Sequence, residues 1–288
     1  MVTYQKKILD VGKNKTSSIK PIFAGIEITN KCNLNCVHCY NDKYDKKHLI
    51  DINPDDFRLI LSRLQTLGVF SVSISGGEPL CHNNFEDICK LLKEKKFVAE
   101  LVTNGSLLDN YSEIINNTFH KIYISIDGPE NIHNKIRDRN CFRQIIKNLS
   151  LIKIRKIMCA TISRLNKQYL EKIIRLAIKL KFDSLCIFIF KPVGRSAENK
   201  ALLALDNDSL LKIDAQIDKL KRRFPIKITY VNPLTNKCYA GQTLIHILPN
   251  GKVKPCAYSK YEIGNILSKK WKMPLLKINL KPSRCHAF

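Results

Sequence analysis

Thr29-Asn30-Lys31-Cys32-Asn33-Leu34-Asn35-Cys36-Val37-His38-Cys39-Tyr40 carries three cysteines within one short polar stretch. A loop with this spacing can give three thiolates to three corners of an iron–sulfur cubane and leave the fourth iron without a protein ligand. Iron–sulfur sites that only carry electrons usually have four cysteines, so an open iron points to a bound substrate or cofactor, and the chain reads as an enzyme. Two plainer readings compete. A zinc site needs a fourth nitrogen or sulfur in closed tetrahedral geometry, and His38 is flanked directly by Cys39, which makes joint ligation awkward. Structural thiols belong among periodic apolar neighbours, whereas this loop is rich in asparagine.

Outward from the loop, the chain alternates apolar β-rich runs with helical patterns. The runs fall at Gly25 to Ile28, Phe70 to Ile74, Val98 to Val102, Ile122 to Ile126, Ile157 to Ile162 and Leu185 to Phe190. One helix opens at Asn53-Pro54-Asp55-Asp56, a capping residue followed by proline and two acids. Another carries Leu170, Ile173, Ile174, Ala177 and Leu180 on one face after an expected Asn166 cap. Six such units predict an α/β fold, with parallel strands in a partial barrel whose function collects where strands end.

The remaining motifs lie at those ends. Ser75-Gly76-Gly77-Glu78-Pro79 follows the second run, with glycines that permit close backbone approach and a glutamate able to accept from an ammonium. Thr103-Asn104-Gly105 follows the third run, and Ser125-Ile126-Asp127-Gly128-Pro129 ends the fourth. His133-Asn134-Lys135-Ile136-Arg137 comes next, and Pro192-Val193-Gly194-Arg195 follows the sixth run.

The three-cysteine spacing, with His38 before the last thiol, resembles the radical S-adenosylmethionine (SAM) superfamily. The resemblance implies a (β/α)6 partial barrel of the TIM type and a [4Fe-4S] cluster held by Cys32, Cys36 and Cys39. It also implies that SAM chelates the open iron and, on reduction, yields methionine and a 5′-deoxyadenosyl radical that abstracts hydrogen from a substrate. Gly76, Gly77, Glu78 and Pro79 resemble the segment that holds the SAM amino group in this family. Ser125, Asn104 and Asp127 resemble residues lining the SAM ribose and carboxylate, with His38, Arg137 and Arg195 on the cofactor side. Ser163 and Asn166 are similarly placed at the end of the fifth run.

Past Arg195 the pattern changes. A helix near Leu205 to Arg222 leads to a strand, Ile226 to Val231, then to Cys238 and a hairpin, Thr243 to Leu248, with Asn250-Gly251 as its turn. This tail resembles the SPASM/twitch extension of peptide-modifying radical SAM enzymes, and implies Cys238, Cys256 and Cys285 as candidate ligands of a second iron–sulfur cluster. It departs from a full SPASM tail, since Cys285 is the only cysteine after Cys256. A tail that binds no metal and merely caps the barrel is the competing reading. The expected organisation is a segment over 1–20, the barrel over 21–195, a linker and helix over 196–225, and the truncated extension over 226–288. Cys81, Cys89, Cys141, Cys159 and Cys186 read as core residues, with Cys141 a candidate for exposure after its charged segment.

Composition fits this class. The chain has 288 residues with 44% hydrophobic content, enough for a sizeable core. No apolar run approaches the length of a membrane span, and eleven cysteines without a secretory signal argue for metal binding in a reducing, cytoplasmic setting. The formal charge of +24 is spread over scattered lysines with no aromatic-interleaved basic motif, so a nucleic-acid partner is not expected. Only about twenty residues precede the first run, which leaves no room there for a separate peptide-recognition domain. The reading that follows is a radical SAM enzyme modifying a peptide or protein, reduced by a donor such as flavodoxin or ferredoxin. Maturation of a small-molecule cofactor or haem precursor is the first alternative, and a non-catalytic iron–sulfur protein the second.

Overall fold

The computed structural model describes residues 20–41, 49–231 and 239–272. In β1 (Phe23–Thr29), Ala24, Ile26 and Ile28 are wholly buried in the main hydrophobic core, and the strand alternation sets Gly25 and Glu27 on the opposite face. The same rhythm recurs in β2 (Ser71–Gly76), β3 (Val98–Thr103), β4 (Lys121–Ser125), β5 (Arg155–Ile162) and β6 (Ser184–Ile189), which pair in chain order, all parallel.

The connecting helices cover the outside. In α1 (Pro54–Thr66), Asn53 caps the start by accepting from the Asp56 amide at 2.8 Å, and Phe57, Ile60, Leu61 and Leu64 form the buried stripe. The remaining helices are α2 (Phe85–Glu94), α3 (Leu108–Thr118), α4 (Glu130–Arg137), α5 (Phe142–Asn148), α6 (Leu170–Lys179), the short α7 (Lys200–Leu203) and α8 (Asn207–Arg223). Helix α6 buries Leu170, Ile173, Ile174 and Ala177, as its periodicity predicts. Asn166 does not cap it. The Asn166 amide instead donates to the carbonyls of Asp127 and Thr161, both at 2.9 Å, and its oxygen accepts from the Ser163 amide at 2.7 Å.

The parallel sheet is larger than the six runs imply. Strand β7 (Lys227–Val231) adds beside β6, and β8 (Leu244–Ile247) lies parallel to β1, with Phe23 opposite Leu244. Strands β9 (Lys252–Lys254) and β10 (Gly264–Asn265) follow antiparallel, giving the order β10-β9-β8-β1-β2-β3-β4-β5-β6-β7. The barrel stays open, with β7 and β10 as separate edges, and residues expected in a separate extension continue its sheet at both ends. Gly251, at φ +78, makes the tight return after β8, where a side chain would strike Leu267 at 2.6 Å. Cys89 and Cys141 are buried, which corrects the expected exposure of Cys141, while Cys81, Cys159 and Cys186 are half-buried. Cys238 and Cys285 lie outside the described residues.

Candidate cluster and cofactor site

The three-cysteine loop leaves the end of β1, where each neighbouring strand end grips it. From the β2 side, the Gly77 amide donates to the Thr29 carbonyl at 2.9 Å and the Glu78 amide to the Lys31 carbonyl at 2.8 Å. A Cβ on Gly77 would lie 2.2 Å from the Lys31 oxygen, so only glycine lets these two backbones pack this closely. From β3, Asn104 donates to the Asn33 side chain at 2.9 Å, and Asn33 donates to Ser106 at 2.8 Å. From β6, the Ser196 amide donates to the Cys39 carbonyl at 3.0 Å, and Arg195 reaches Asn35 at 3.0 Å and the Cys36 carbonyl at 3.4 Å. Gly194, at φ +58, packs against the carbonyl of Tyr40. The loop is thereby a held template for its thiols rather than a loose turn.

Beneath the loop is a charged hub. The wholly buried carboxylate of Asp127 accepts from Arg137 Nε and Nη2, each at 2.7 Å, lies 3.3 Å from His38 Nε2, and accepts the Thr161 amide at 3.0 Å. Arg137 Nη1 is 3.7 Å from Cys36 Sγ, so the guanidinium joins the carboxylate to a candidate iron ligand. Burial alone would favour the neutral acid, but Arg137 and His38 hold the Asp127 carboxyl well below the usual carboxylate range. Burial pushes the Cys36 thiol up, against the pull of Arg137, so metal binding there must displace a proton. His38 Nδ1 is buried with no hydrogen-bond partner among the described residues.

The Glu78 side chain is held from inside the protein. Its side chain is 1% exposed, and its oxygens accept from Thr103 Oγ1 at 2.6 Å, the Asn104 amide at 2.7 Å and the Leu80 amide at 3.2 Å. Three donors inside the protein hold the carboxylate, which ties β2 to β3. Burial raises its carboxyl to about 7. Pro79 opens a short turn, Pro79–Cys81, directly after it, and Ser125 is half-buried at the end of β4.

The structure brings Cys32, Cys36, Cys39, His38, Asp127, Arg137 and Arg195 together with the Gly76 to Pro79 segment and Asn104. Sequence reasoning passed over Asn33, Asn41, Ser106, Glu27 and His246. Asn41 donates to the Gly76 carbonyl at 2.9 Å, and Glu27 Oε1 is 2.8 Å from His246 Nε2. Strand alternation within Gly25-Ile26-Glu27-Ile28 was the available signal for Glu27, an acid among apolar residues facing away from Ile26 and Ile28.

The residues present fit an iron–sulfur cubane. Among the described residues no three metal-binding side chains gather tightly enough for a single ion. Thiolates that each bind a separate cubane corner need no such convergence, and the Arg137 guanidinium beside Cys36 suits an anionic cluster. A parallel α/β barrel with three thiols on the loop after its first strand is the arrangement that radical SAM enzymes share. The Radical SAM superfamily model matches residues 26–187, and this chain belongs to that superfamily. It is 28% identical over 85% of its length to the antilisterial bacteriocin subtilosin biosynthesis protein AlbA of Bacillus subtilis, covering 57% of that protein. It is also 28% identical over 82% of its length to the PqqA peptide cyclase of Bradyrhizobium diazoefficiens, covering 66%. The chain thus spans less than two thirds of either relative. Among solved structures, Streptococcus suis SuiB bound to the precursor peptide SuiA shares the fold at a TM-score of 0.73 and 17% identity, over 94% of this chain and 67% of that one.

Proposed function

We propose that this protein is a radical SAM enzyme that modifies a peptide or protein. The observation that carries the reading is the three-thiol loop, pinned from β2, β3 and β6 and backed by the Arg137–Asp127 pair. Cys32, Cys36 and Cys39 would hold a [4Fe-4S] cluster. Bound together, the cluster and SAM supply a reductively generated carbon radical able to remove a hydrogen atom from substrate. Arg137 and Asp127 orient Cys36, His38 completes their hub, and Arg195 fixes the loop backbone at Cys36. The Gly76 to Pro79 backbone, with Asn104 and Ser125, forms the wall along which SAM would lie.

The peptide reading is supported by relatives whose names describe bacteriocin biosynthesis and peptide cyclisation. An electron donor of the flavodoxin or ferredoxin kind and a cytoplasmic setting accompany it. No helix among the described residues is long and apolar enough to cross a membrane. A second cluster on Cys238, Cys256 and Cys285 belongs to the same proposal, with half-buried Cys256 the one member among the described residues.

The test is anaerobic reconstitution with iron and sulfide, counting iron and 5′-deoxyadenosine in wild type and in a variant with Cys32, Cys36 and Cys39 changed to Ala. The expected result is deoxyadenosine from wild type only, and loss of about four irons in the variant. Deoxyadenosine formed by the variant would overturn the assignment. About four irons remaining in the variant would establish the second cluster, and none remaining would remove it.

A further inference from the structure

Beside the exit of the cluster loop lies a cavity of about 450 Å³ that shares Asn41 and Gly194 with the cluster site and extends away from the thiols. One wall is Tyr40 and Asn41, the residues directly after Cys39, and the other is the segment following β9, with Tyr258 and Lys260. The Tyr40 and Tyr258 rings meet edge to face at 5.2 Å. Its floor is Glu27, on the barrel-interior face of β1.

Glu27 is 2% exposed, and only one of its oxygens is satisfied. Oε1 pairs with His246 Nε2 at 2.8 Å, while Oε2 is buried with no hydrogen-bond partner among the described residues. The His246 ring lies against Gly25, where a Cβ would approach it to 2.6 Å, so the absent side chain of Gly25 leaves the room that ring occupies. A carboxylate oxygen only accepts hydrogen bonds, and leaving it buried and unpaired is costly. Retaining such an acid in the floor of an open cavity is favourable when a ligand supplies the donor. At the rim the sign reverses. Lys252 is engaged with Glu262 at 3.0 Å, and Lys254 and Lys260 line the opening with positive charge.

We propose that this cavity is a substrate subsite that takes a cationic nitrogen, an ammonium or guanidinium, against Glu27 Oε2, with neighbouring carboxylates of the same substrate held by Lys254 and Lys260. The inference rests on the peptide-modifying reading above and names the kind of residue that enters: a basic side chain flanked by acidic ones. A neutral donor would satisfy the same oxygen less strongly, since hydrogen bonds to a charged partner are about twice as strong.

The probe is the peptide acetyl-Asp-Lys-Asp-amide, compared with its norleucine counterpart, which keeps the shape and lacks the donor. Binding to the anaerobically reconstituted protein in the presence of SAM is measured by calorimetry for wild type and Glu27→Gln. We expect the lysine peptide to bind wild type about tenfold or more tightly than the norleucine peptide, and Glu27→Gln to remove that preference. Should Glu27→Gln fail to fold by circular dichroism, Lys254→Ala/Lys260→Ala provides the second arm. It should lower affinity for the Asp-Lys-Asp peptide to that of acetyl-Ser-Lys-Ser-amide while preserving the preference for lysine over norleucine. Equal binding of the lysine and norleucine peptides to wild type, or no binding of either, overturns the proposal, as does a preference that Glu27→Gln retains. Deoxyadenosine formation by the wild type is recorded in parallel, so that failure of the radical SAM reading shows as its absence and failure of the subsite as its presence without discrimination.

Discussion

The contact between Gly77 and the cluster loop can be tested by one methyl group. In Gly77→Ala the new Cβ would lie 2.2 Å from the Lys31 oxygen, 2.7 Å from the Lys31 carbonyl carbon and 2.8 Å from the Asn30 oxygen, all of them backbone atoms with no rotamer to escape through. Ordinary contact needs roughly 1 Å more, so one of the two backbones must move. Movement strains or breaks the Gly77 to Thr29 and Glu78 to Lys31 hydrogen bonds, of 2.9 and 2.8 Å. At about 1 kcal/mol for each bond, plus about 1 to 3 kcal/mol for overpacking, the cost is about 3 to 5 kcal/mol. For a chain of this size that lowers the melting temperature by roughly 5 to 15 °C. Because Asn30 and Lys31 lead straight into Cys32, iron retained after reconstitution should also fall well below the wild-type count. Gly68→Ala is the matched control. Gly68 has φ +85 but open space around its Cβ, so alanine there costs only the left-handed conformation, about 1 to 2 kcal/mol, and iron content should be unchanged. A Gly77→Ala protein that melts like wild type and binds iron fully would refute the reasoning that close backbone packing, rather than backbone freedom, selects this glycine.

Asp127→Asn leaves the Arg137 guanidinium buried without its anion, and should destabilise the fold by about 3 kcal/mol or more in urea titration; a loss under about 1 kcal/mol would show that the hub is not an ion pair in energetic terms. Glu78→Gln tests the raised carboxyl. Its folded value of about 7 lies above the ordinary 4.5, so the native state binds the proton more tightly than the unfolded one. The stabilisation from that proton is fully present below about 4.5 and is lost as pH rises through about 7. Urea titrations from pH 5 to 7 on protein without reconstituted metal should show a slope of up to about 1.4 kcal/mol per pH unit in wild type that Glu78→Gln flattens; the same slope in both would assign it to another group.

The sequence carried the parts whose signal is local, and missed those made by distant contact. Six strand runs were legible because apolar residues crowd each one, and the helix at Asn53-Pro54 because its cap is encoded within four residues. Strands β7 and β8 were legible as strands, but not as members of the barrel sheet, because register against β6 and β1 depends on how far α8 and the segment before β8 carry the chain. Arg137 shows the same division. Nothing within two residues of it distinguishes it from a surface arginine, yet α4 turns it inward to Asp127, ten positions earlier, and to Cys36, a hundred and one positions earlier.

Glu78 carries this furthest, since its local motif was legible as a strand-end segment while the donors that bury its side chain were not. A carboxylate beside two glycines at a barrel mouth looks available to a ligand. In the folded chain Thr103 and the Asn104 amide, supplied by the next strand, reach it first and leave it buried. Glu27 is the converse. Embedded in an apolar strand, it shows only as an acid in the alternation, but the fold satisfies one of its oxygens, leaves the other buried without a partner among the described residues, and sets the residue in the lining of a cavity. How much of a buried acid is left for a ligand therefore depends on the internal donors it finds: Glu78 has three, two from the end of β3 and one from its own following turn, and Glu27 has one, from β8. By that criterion Glu27→Gln should alter ligand preference, and Glu78→Gln the pH dependence of stability.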